Sequence, residues 1–217
     1  LHDALPICCV DTLHRVTITG LEKNTTYFYR VLSQEVKELL PYRPVLGNIV
    51  STDIWEKPLT FTTLDGRQET LSIVMINDIH GKNDLQKKLL EMAPPQNVDM
   101  VVFCGDMCNY INKQSDIFTG FLDTSVGLFA SRKPFVYVRG NHETRGAYAR
   151  NFFRYLAGPE GKFYYAFTYG PIRFIVLDSG EDKPDTDVEY SGLVDFDNYI
   201  LEQKEWLARE LESPEFR

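Results

Sequence analysis

The middle of the chain alternates continuous apolar runs with amphipathic stretches. The runs at 71–78 (LSIVMIND), 98–106 (VDMVVFCGD) and 134–141 (PFVYVRGN) are almost wholly apolar until their last residues. This pattern is typical of strands that are buried on both faces of a sheet. Between them, 84–93 and 115–131 carry apolar residues at helical spacing. The order strand, helix, strand, helix, strand predicts an α/β layered core.

The carboxyl-terminal part continues this mixed pattern. Residues 144–156 are predicted to be helical, and the strand-like segments 163–170 and 173–180 are predicted to form an antiparallel pair. The amphipathic segment that starts at Leu201 predicts a last helix, which stops near Ser213 and Pro214.

The amino-terminal part predicts strands and turns instead. Residues 14–21 and 26–33 alternate in the manner of two half-buried strands. A third strand is predicted at 58–65, after a long loop that contains Pro41 and Pro44. Three strands cannot form a sandwich core by themselves, since about seven are usual.

Composition narrows the class of protein. The chain has 217 residues, of which 43% are hydrophobic and 25% charged, and this balance is typical of a folded domain. Lys and Arg total 23 against 31 Asp and Glu, which gives a net charge of −8. We therefore expect no nucleic-acid binding through phosphate contacts. No apolar run reaches the roughly 18 residues that a membrane span needs.

The two ends have the sequence of a fragment. Residues 1–7 (LHDALPI) resemble a translated sequencing adapter, and we interpret them as an artefact. The chain ends soon after the predicted stop at Pro214, where we expect a further strand. The four cysteines, Cys8, Cys9, Cys104 and Cys108, form neither a disulfide framework nor a zinc-type CxxC pair.

Polar side chains with metal-ligand chemistry follow each of the three buried strands. These clusters are Asp78-Ile79-His80, Gly105-Asp106 and Gly140-Asn141-His142-Glu143. Ligands of open α/β sheets bind beyond the carboxyl ends of the strands. Three parallel neighbouring strands would therefore bring these clusters together, although they lie about 28 and 35 residues apart in the chain.

The donor types point to divalent metal ions. Carboxylate, amide and imidazole ligands suit Mn, Fe or Zn. Asp78 and His80 lie two residues apart, so both point the same way on an extended strand end. Asp106 has two oxygens and can bridge two ions. Two ions ~3.5–4 Å apart can hold a bridging hydroxide and clamp a phosphoryl group.

The combination D-x-H, G-D and G-N-H-E resembles the calcineurin-like metallophosphoesterase family, which includes purple acid phosphatases. The resemblance implies metal-dependent hydrolysis of phosphoric esters, with two divalent ions (Mn, Fe or Zn) as cofactors. Asp78 and His80 would bind the first metal, Asp106 would bridge, and Asn141 would bind the second. His142 would contact the substrate and assist catalysis, and Arg145 is a candidate phosphate contact. The expected partner is a phosphorylated small molecule or ester.

The amino-terminal pattern G-L-x-x-x-T-x-Y-x-Y-R-V resembles the closing strands of a fibronectin type III domain. We therefore predict an α/β fold with a layered metallophosphoesterase-type β-sheet core with helices, preceded by a partial fibronectin III-like β-sandwich remnant. The predicted domains are 8–66 for the remnant, in which Tyr27 or Tyr29 is the corner tyrosine, and 67–217 for the catalytic domain, truncated at its carboxyl end. Such strands resemble those of exported enzymes, which favours a periplasmic or extracellular location.

The chain departs from the family in two respects. Purple acid phosphatases have a tyrosine three residues after the bridging aspartate, where this chain has Asn109, and they lack a histidine at the position of His80. The family also completes its site with a later histidine and a Gly-His-x-His motif. The other two histidines here, His2 and His14, cannot replace those ligands. We therefore expect this chain to be inactive or nearly so.

Simpler interpretations exist for several of these residues. An aspartate at a strand end is more often a helix cap or a turn former than a ligand. Asp178 is interpreted in this way, Glu143 as a supporting residue, His14 as structural, and the acidic segment 181–190 as a solvated loop. The alternative function is a non-catalytic binding module that acts through the fibronectin-like strands.

Overall fold

A computed structural model describes residues 11–216. The chain divides into two compact units, Leu1–Asp65 and Gly66–Arg217. The interpreted artefact at residues 1–7, and also Cys8 and Cys9, lie outside the described residues. Within residues 11–216, no helix is both long and apolar enough to cross a membrane.

The first unit contains two separate antiparallel strand pairs. Strand β1 (Thr26–Tyr29) pairs with β4 (Leu59–Thr62), and β2 (Leu32–Leu39) pairs with β3 (Pro44–Ser51). The β2–β3 hairpin replaces the long loop that the prolines had predicted. Pro44 lies at the first residue of β3, where a strand tolerates the missing N–H.

The predicted strand at 14–21 has no regular secondary structure. The strand predicted at 26–33 is divided between β1 and β2, which belong to different sheets. The hydroxyl of Tyr27 accepts a hydrogen bond from the backbone N–H of Glu22 at 2.8 Å. A corner tyrosine makes a backbone contact of this kind. The fibronectin-like assignment of 8–66 nevertheless stays a prediction.

The second unit is built on a parallel three-stranded sheet. Its strands are β5 (Ile73–Ile76), β6 (Met100–Cys104) and β7 (Phe135–Val138), in the spatial order β5-β6-β7. Both pairings are parallel and in sequential order, with Ile76 opposite Phe103 and Cys104 opposite Val138. The α/β prediction is confirmed, and the three strand ends lie at one edge of the sheet.

The connections between these strands are helical. Helix α1 (Asn83–Met92) joins β5 to β6. The stretch between β6 and β7 contains α2 (Gln114–Ile117) and α3 (Asp123–Ser125), together with the π-helical turns Phe118–Leu122 and Val126–Ala130.

After β7 the backbone is mostly irregular. The predicted helix at 144–156 is reduced to the end of the 3₁₀ turn His142–Thr144, a second 3₁₀ turn at Ala149–Asn151 and the short helix α4 (Phe153–Leu156). The predicted antiparallel pair is confirmed as β8 (Tyr165–Tyr169) and β9 (Ile172–Val176). The last helix, α5 (Phe196–Leu211), begins earlier than its apolar spacing predicted. Asp185, which lies 11 residues before Phe196, accepts the N–H groups of Phe196 and Asp197 at the start of the helix.

Aromatic side chains form the centre of the core in the second unit. Phe103 on β6 is fully buried and packs edge-on against Phe121 and Phe129, with ring centroids 5.7 and 6.1 Å apart. Phe135 on the neighbouring strand lies 5.1 Å away. This packing holds β6 between the helices and β7, and it therefore also fixes the loop that follows β6.

Replacing Phe103 with Ala should lower the free energy of unfolding by about 3–5 kcal/mol, because the substitution leaves a cavity in this aromatic cluster. Urea unfolding followed by circular dichroism measures the change. Met75→Ala on the adjacent strand is the control, since Met75 is 62% exposed and should change stability by less than about 0.5 kcal/mol. Equal losses in the two variants would contradict the assignment of the core.

Candidate functional site

The three loops at the carboxyl ends of β5, β6 and β7 are joined by backbone hydrogen bonds. The N–H of Asp78 donates to the carbonyl of Gly105 at 3.2 Å, and the N–H of His80 donates to the carbonyl of Asp106 at 2.9 Å. The N–H of His142 donates to the side-chain Oδ1 of Asp106 at 3.0 Å. The convergence that parallel pairing predicted is therefore present.

Three of the four predicted metal ligands have a left-handed backbone. The φ angles are 57° at Asp78, 50° at His80 and 55° at Asp106. This conformation is uncommon for residues other than glycine, and it costs of the order of 1 kcal/mol at each position. Strain of this kind persists only where the surrounding structure enforces it, and it is concentrated at functional sites. Three of the six non-glycine residues with a left-handed backbone in the described part of the chain are thus candidate metal ligands.

Two glycines allow the β6 and β7 loops to approach each other. A Cβ atom at Gly105 would lie 2.7 Å from the Cα atom of Gly140. A Cβ atom at Gly140 would lie 2.5 Å from the backbone nitrogen of Asp106. Both distances are too short for a side chain, so the G-D and G-N-H-E motifs need glycine for close backbone contact.

The carboxylate of Glu143 joins the same two loops from inside the protein. It is fully buried, and its Oε2 accepts the N–H groups of Asp106 and Gly140, both at 2.9 Å. Its Oε1 accepts the N–H of Cys108 at 2.9 Å. Burial raises the pKa of Glu143, and the hydrogen bonds from Cys108 and Asp106 oppose that rise. The side chain supports the site, as its sequence interpretation proposed, by binding three backbone N–H groups.

The converging loops create a cluster of possible metal ligands. Ligand atoms of His80, Asp106 and His142 all lie within 4.8 Å of one another. The rings of His80 and His142 meet edge-on with centroids 4.4 Å apart. Asp78 borders this cluster, with its Oδ1 3.6 Å from Nε2 of His80. Four of the six predicted site residues therefore meet in one place, namely Asp78, His80, Asp106 and His142.

The ring of His142 is oriented by its neighbours. Its Nδ1 lies 2.9 Å from the carbonyl oxygen of Asn109, which can only accept, so Nδ1 carries a hydrogen. Its Nε2 lies 3.5 Å from Nη1 of Arg145, which can only donate. These contacts favour the neutral tautomer with a lone pair on Nε2.

Asn141 and Arg145 share a partner that the sequence did not reveal. Arg145 donates from Nε and Nη2 to the two oxygens of Glu181 at 3.3 and 2.9 Å. The side-chain Nδ2 of Asn141 lies 3.5 Å from Oε2 of Glu181. The structure thus places the candidate phosphate contact Arg145 in an ion pair. The pair raises the pKa of Arg145 through its hydrogen bond to Glu181.

Glu181 belongs to the segment that was interpreted as a solvated loop, yet its side chain is only 2% exposed. Burial raises the pKa of Glu181, but hydrogen bonds from Arg145 and Thr144 lower it more, so the net pKa is below its ordinary value. No sequence signal separates Glu181 from the acidic residues around it, since its burial depends on the fold.

Two further groups beside the site have structural roles. Asp178 forms the turn that the sequence indicated, accepting the N–H of Gly180, and it also pairs with Arg139 at 2.7 Å. Burial raises the pKa of Asp178, and the charge of Arg139 opposes that rise. Burial also raises the pKa of Cys108 to about 12, with Glu143 as a second cause. The Cys108 thiol is therefore protonated at neutral pH and is no nucleophile.

Replacing Glu143 with Gln should destabilise the second unit by about 1–3 kcal/mol, because an amide has one acceptor oxygen and leaves at least one buried N–H unpaired. Urea unfolding measures the loss. Glu91→Gln has the same chemical change at an exposed position, and we expect about 0.5 kcal/mol or less. A Glu143→Gln variant as stable as the parent would show that these N–H bonds contribute little.

Comparisons with known proteins agree with this geometry. No curated protein sequence matches the chain at a significant level. The solved structure of the purple acid phosphatase PPD1 from yellow lupin (Lupinus luteus) seeds has a similar fold, with a TM-score of 0.54 and 18% sequence identity. The similarity covers 82% of this chain and 34% of the lupin chain, so this chain spans about a third of that protein's length.

A family model for calcineurin-like phosphoesterases matches residues 71–216. The match begins just before β5 and includes all three loops that carry the candidate ligands. The family is metal-dependent, and the cluster of His80, Asp106 and His142 could hold a metal ion. The chain therefore belongs to the calcineurin-like phosphoesterase family.

Proposed function

We propose that this protein hydrolyses phosphoric esters, as a phosphatase or phosphodiesterase, in a reaction that needs divalent metal ions. One observation carries the proposal. Three loops from separate strands bring His80, Asp106 and His142 within 4.8 Å of one another, on backbone that is strained at two of these residues. Family membership over 71–216 supports the same reaction class.

The residues present fit a metal ion. Nδ1 of His80 is buried and has no hydrogen-bond partner among the described residues. A buried nitrogen of this kind costs free energy unless a proton donor or a metal ion satisfies it. The neighbouring donors are carboxylate, amide and imidazole groups, which suit Mn, Fe or Zn.

We assign the first ion to Asp78, His80 and Asp106, and the second to Asp106 and Asn141, with Asp106 shared. When bound, two such ions supply Lewis acidity to the phosphoryl group and lower the pKa of the attacking water. Such ions would also reverse the local charge. An acidic protein repels an anionic ester, and divalent cations at the strand ends would attract it.

His142 would act on the substrate through Nε2. The bond from Nδ1 to the carbonyl of Asn109 holds the ring and leaves Nε2 as the reactive nitrogen. As a general acid, Nε2 would carry the proton that passes to the leaving-group oxygen. Such general acid catalysis contributes about 10²–10⁴-fold. Contact between Arg145 and the phosphate stays a prediction. In such a contact Arg145 would keep its ion pair with Glu181.

The ligand set within this chain is small for two ions. The second ion would have Asp106 and Asn141, and the chain, whose other histidines are His2 and His14, contains no Gly-His-x-His motif to add ligands. Weak coordination at that position would lower metal affinity and turnover together. We therefore propose that these 217 residues alone bind metal weakly and turn over little substrate.

The alternative, a binding module that acts through the first unit, has one observation in its favour. The β2–β3 hairpin exposes apolar side chains, among them Leu32, Ile49 and Val50, which are 54%, 58% and 71% exposed. Exposed apolar patches are a common feature of interaction surfaces. A ligand bound in this way would be unaffected by substitutions in the second unit, and this distinguishes the two functions.

Replacing Asp106 with Asn should weaken Mn²⁺ binding by more than about tenfold, because the shared carboxylate loses its charge while its size is kept. Isothermal titration of the 217-residue chain measures the affinity. Asp84→Asn is the matched control, since it removes the same charge from the exposed first turn of α1. Equal affinities in parent and Asp106→Asn would overturn the assigned metal site.

Turnover of p-nitrophenyl phosphate and bis(p-nitrophenyl) phosphate by this chain with added Mn²⁺ should fall at least about 100-fold below the 1–10³ s⁻¹ that is typical of enzymes. The release of nitrophenolate, followed by its absorbance, gives the rate for monoester and diester separately. A rate of about 1 s⁻¹ or more would show that the residues present form a complete active site.

A further inference from the structure

Glu181 is the central acceptor of a partly buried hydrogen-bond network beside the candidate site, and its own side chain is 2% exposed. Its Oε1 accepts the hydroxyl of Thr144 at 2.5 Å and Nε of Arg145 at 3.3 Å. Its Oε2 accepts Nη2 of Arg145 at 2.9 Å, the hydroxyl of Tyr190 at 3.1 Å and Nδ2 of Asn141 at 3.5 Å. Four side chains therefore converge on one carboxylate, three of them from residues 141–145 and one, Tyr190, from the segment of Glu181 itself.

The chemistry of a carboxylate restricts how Asn141 can be placed. An ionised carboxylate only accepts hydrogen bonds, whereas an amide has a donor end and an acceptor end. The amide of Asn141 must therefore turn its NH₂ group toward Glu181, which leaves Oδ1 at the opposite end. Divalent cations of the type expected here take oxygen from amides, not the amide nitrogen.

The same network reaches the backbone of Asn141. The hydroxyl of Thr144 lies 2.8 Å from the carbonyl oxygen of Asn141 and 2.5 Å from Oε1 of Glu181, and its single hydrogen donates to one of these two acceptors at a time. The guanidinium of Arg145 offsets the buried charge of Glu181, since a charge-assisted hydrogen bond stabilises both ions. The direct contact of Asn141 with Glu181 is therefore the one made by its side-chain amide.

We propose, resting on the proposed function, that Glu181 is a positioning residue that fixes the amide of Asn141 with its oxygen free for the second metal ion. Glu181 itself touches neither ion nor substrate in this role. It acts through Asn141, so its effect on metal binding depends on the Asn141 side chain. This dependence separates positioning from a general contribution to stability.

The first test uses the metal-free chain with the substitution Glu181→Gln, which keeps the size of the side chain and removes its strict acceptor character. The side-chain NH₂ resonances of Asn141 are assigned by their loss in Asn141→Asp. We expect these resonances to move in Glu181→Gln and to stay in place in Tyr190→Phe. Tyr190→Phe is the control because it removes the hydroxyl donor to Oε2 of Glu181, the oxygen that Asn141 contacts. Circular dichroism confirms that each variant is folded.

The second test is a Mn²⁺ titration of a double-mutant cycle. Glu181→Gln should bind Mn²⁺ about tenfold more weakly than the parent, whereas Tyr190→Phe should bind within about twofold of it. In an Asn141→Ala background, adding Glu181→Gln should change the affinity no further. Where Glu181→Gln does not fold, Glu181→Asp replaces it, since the shorter side chain withdraws the acceptor from Asn141.

The outcomes separate this inference from the proposed function. Unmoved Asn141 resonances, or an affinity loss that persists without the Asn141 side chain, would overturn the positioning role. The parent chain could bind no Mn²⁺ while the Asn141 resonances still move in Glu181→Gln. In that case the assigned metal site is wrong, but the contact by which Glu181 orients Asn141 is supported. The positioning role and the metal site would both be supported by two results together. The Asn141 resonances move in Glu181→Gln, and Glu181→Gln lowers the Mn²⁺ affinity only when Asn141 is present.

Discussion

The candidate site depends on one buried carboxylate. Glu143 binds the backbone N–H groups of Asp106, Cys108 and Gly140, and these groups belong to the loops after two different strands. Each such bond to a charged acceptor contributes roughly 1.5–3 kcal/mol when it is well formed. Because Asp106 is held from behind in this way, its own carboxylate is left to face His142 and the space beyond the strand ends.

This support explains how the site maintains an unfavourable backbone. Asp78, His80 and Asp106 adopt left-handed φ angles, and the cost is borne by a network that includes the N–H bonds from Asp78 and His80 to the β6 loop. This backbone brings together the side chains of His80, Asp106 and His142, which lie far apart in the chain. The hydrogen bonds that fix the loops therefore also maintain the strained backbone of the candidate ligands.

The charges around the site favour a role for cations from outside the protein. Arg145 is paired with Glu181 and Arg139 with Asp178, so both nearby guanidinium groups are already neutralised. The chain as a whole carries a net charge of −8. Attraction of an anionic ester would therefore depend on bound divalent ions, in agreement with the carboxylate and imidazole groups at the strand ends.

The sequence by itself determined the parallel sheet and the residues at its edge, because continuous apolar runs and the polar residues that end them are local features. It was misleading at the β2–β3 hairpin, where prolines suggested a loop, and at 144–156, where helical spacing gave only short turns. The tertiary structure alone decided the surroundings of Glu181. In the sequence Glu181 is one acidic residue among many, and only the folded loop buries it against Asn141 and Arg145, because burial and hydrogen-bond partners are set by distant parts of the chain.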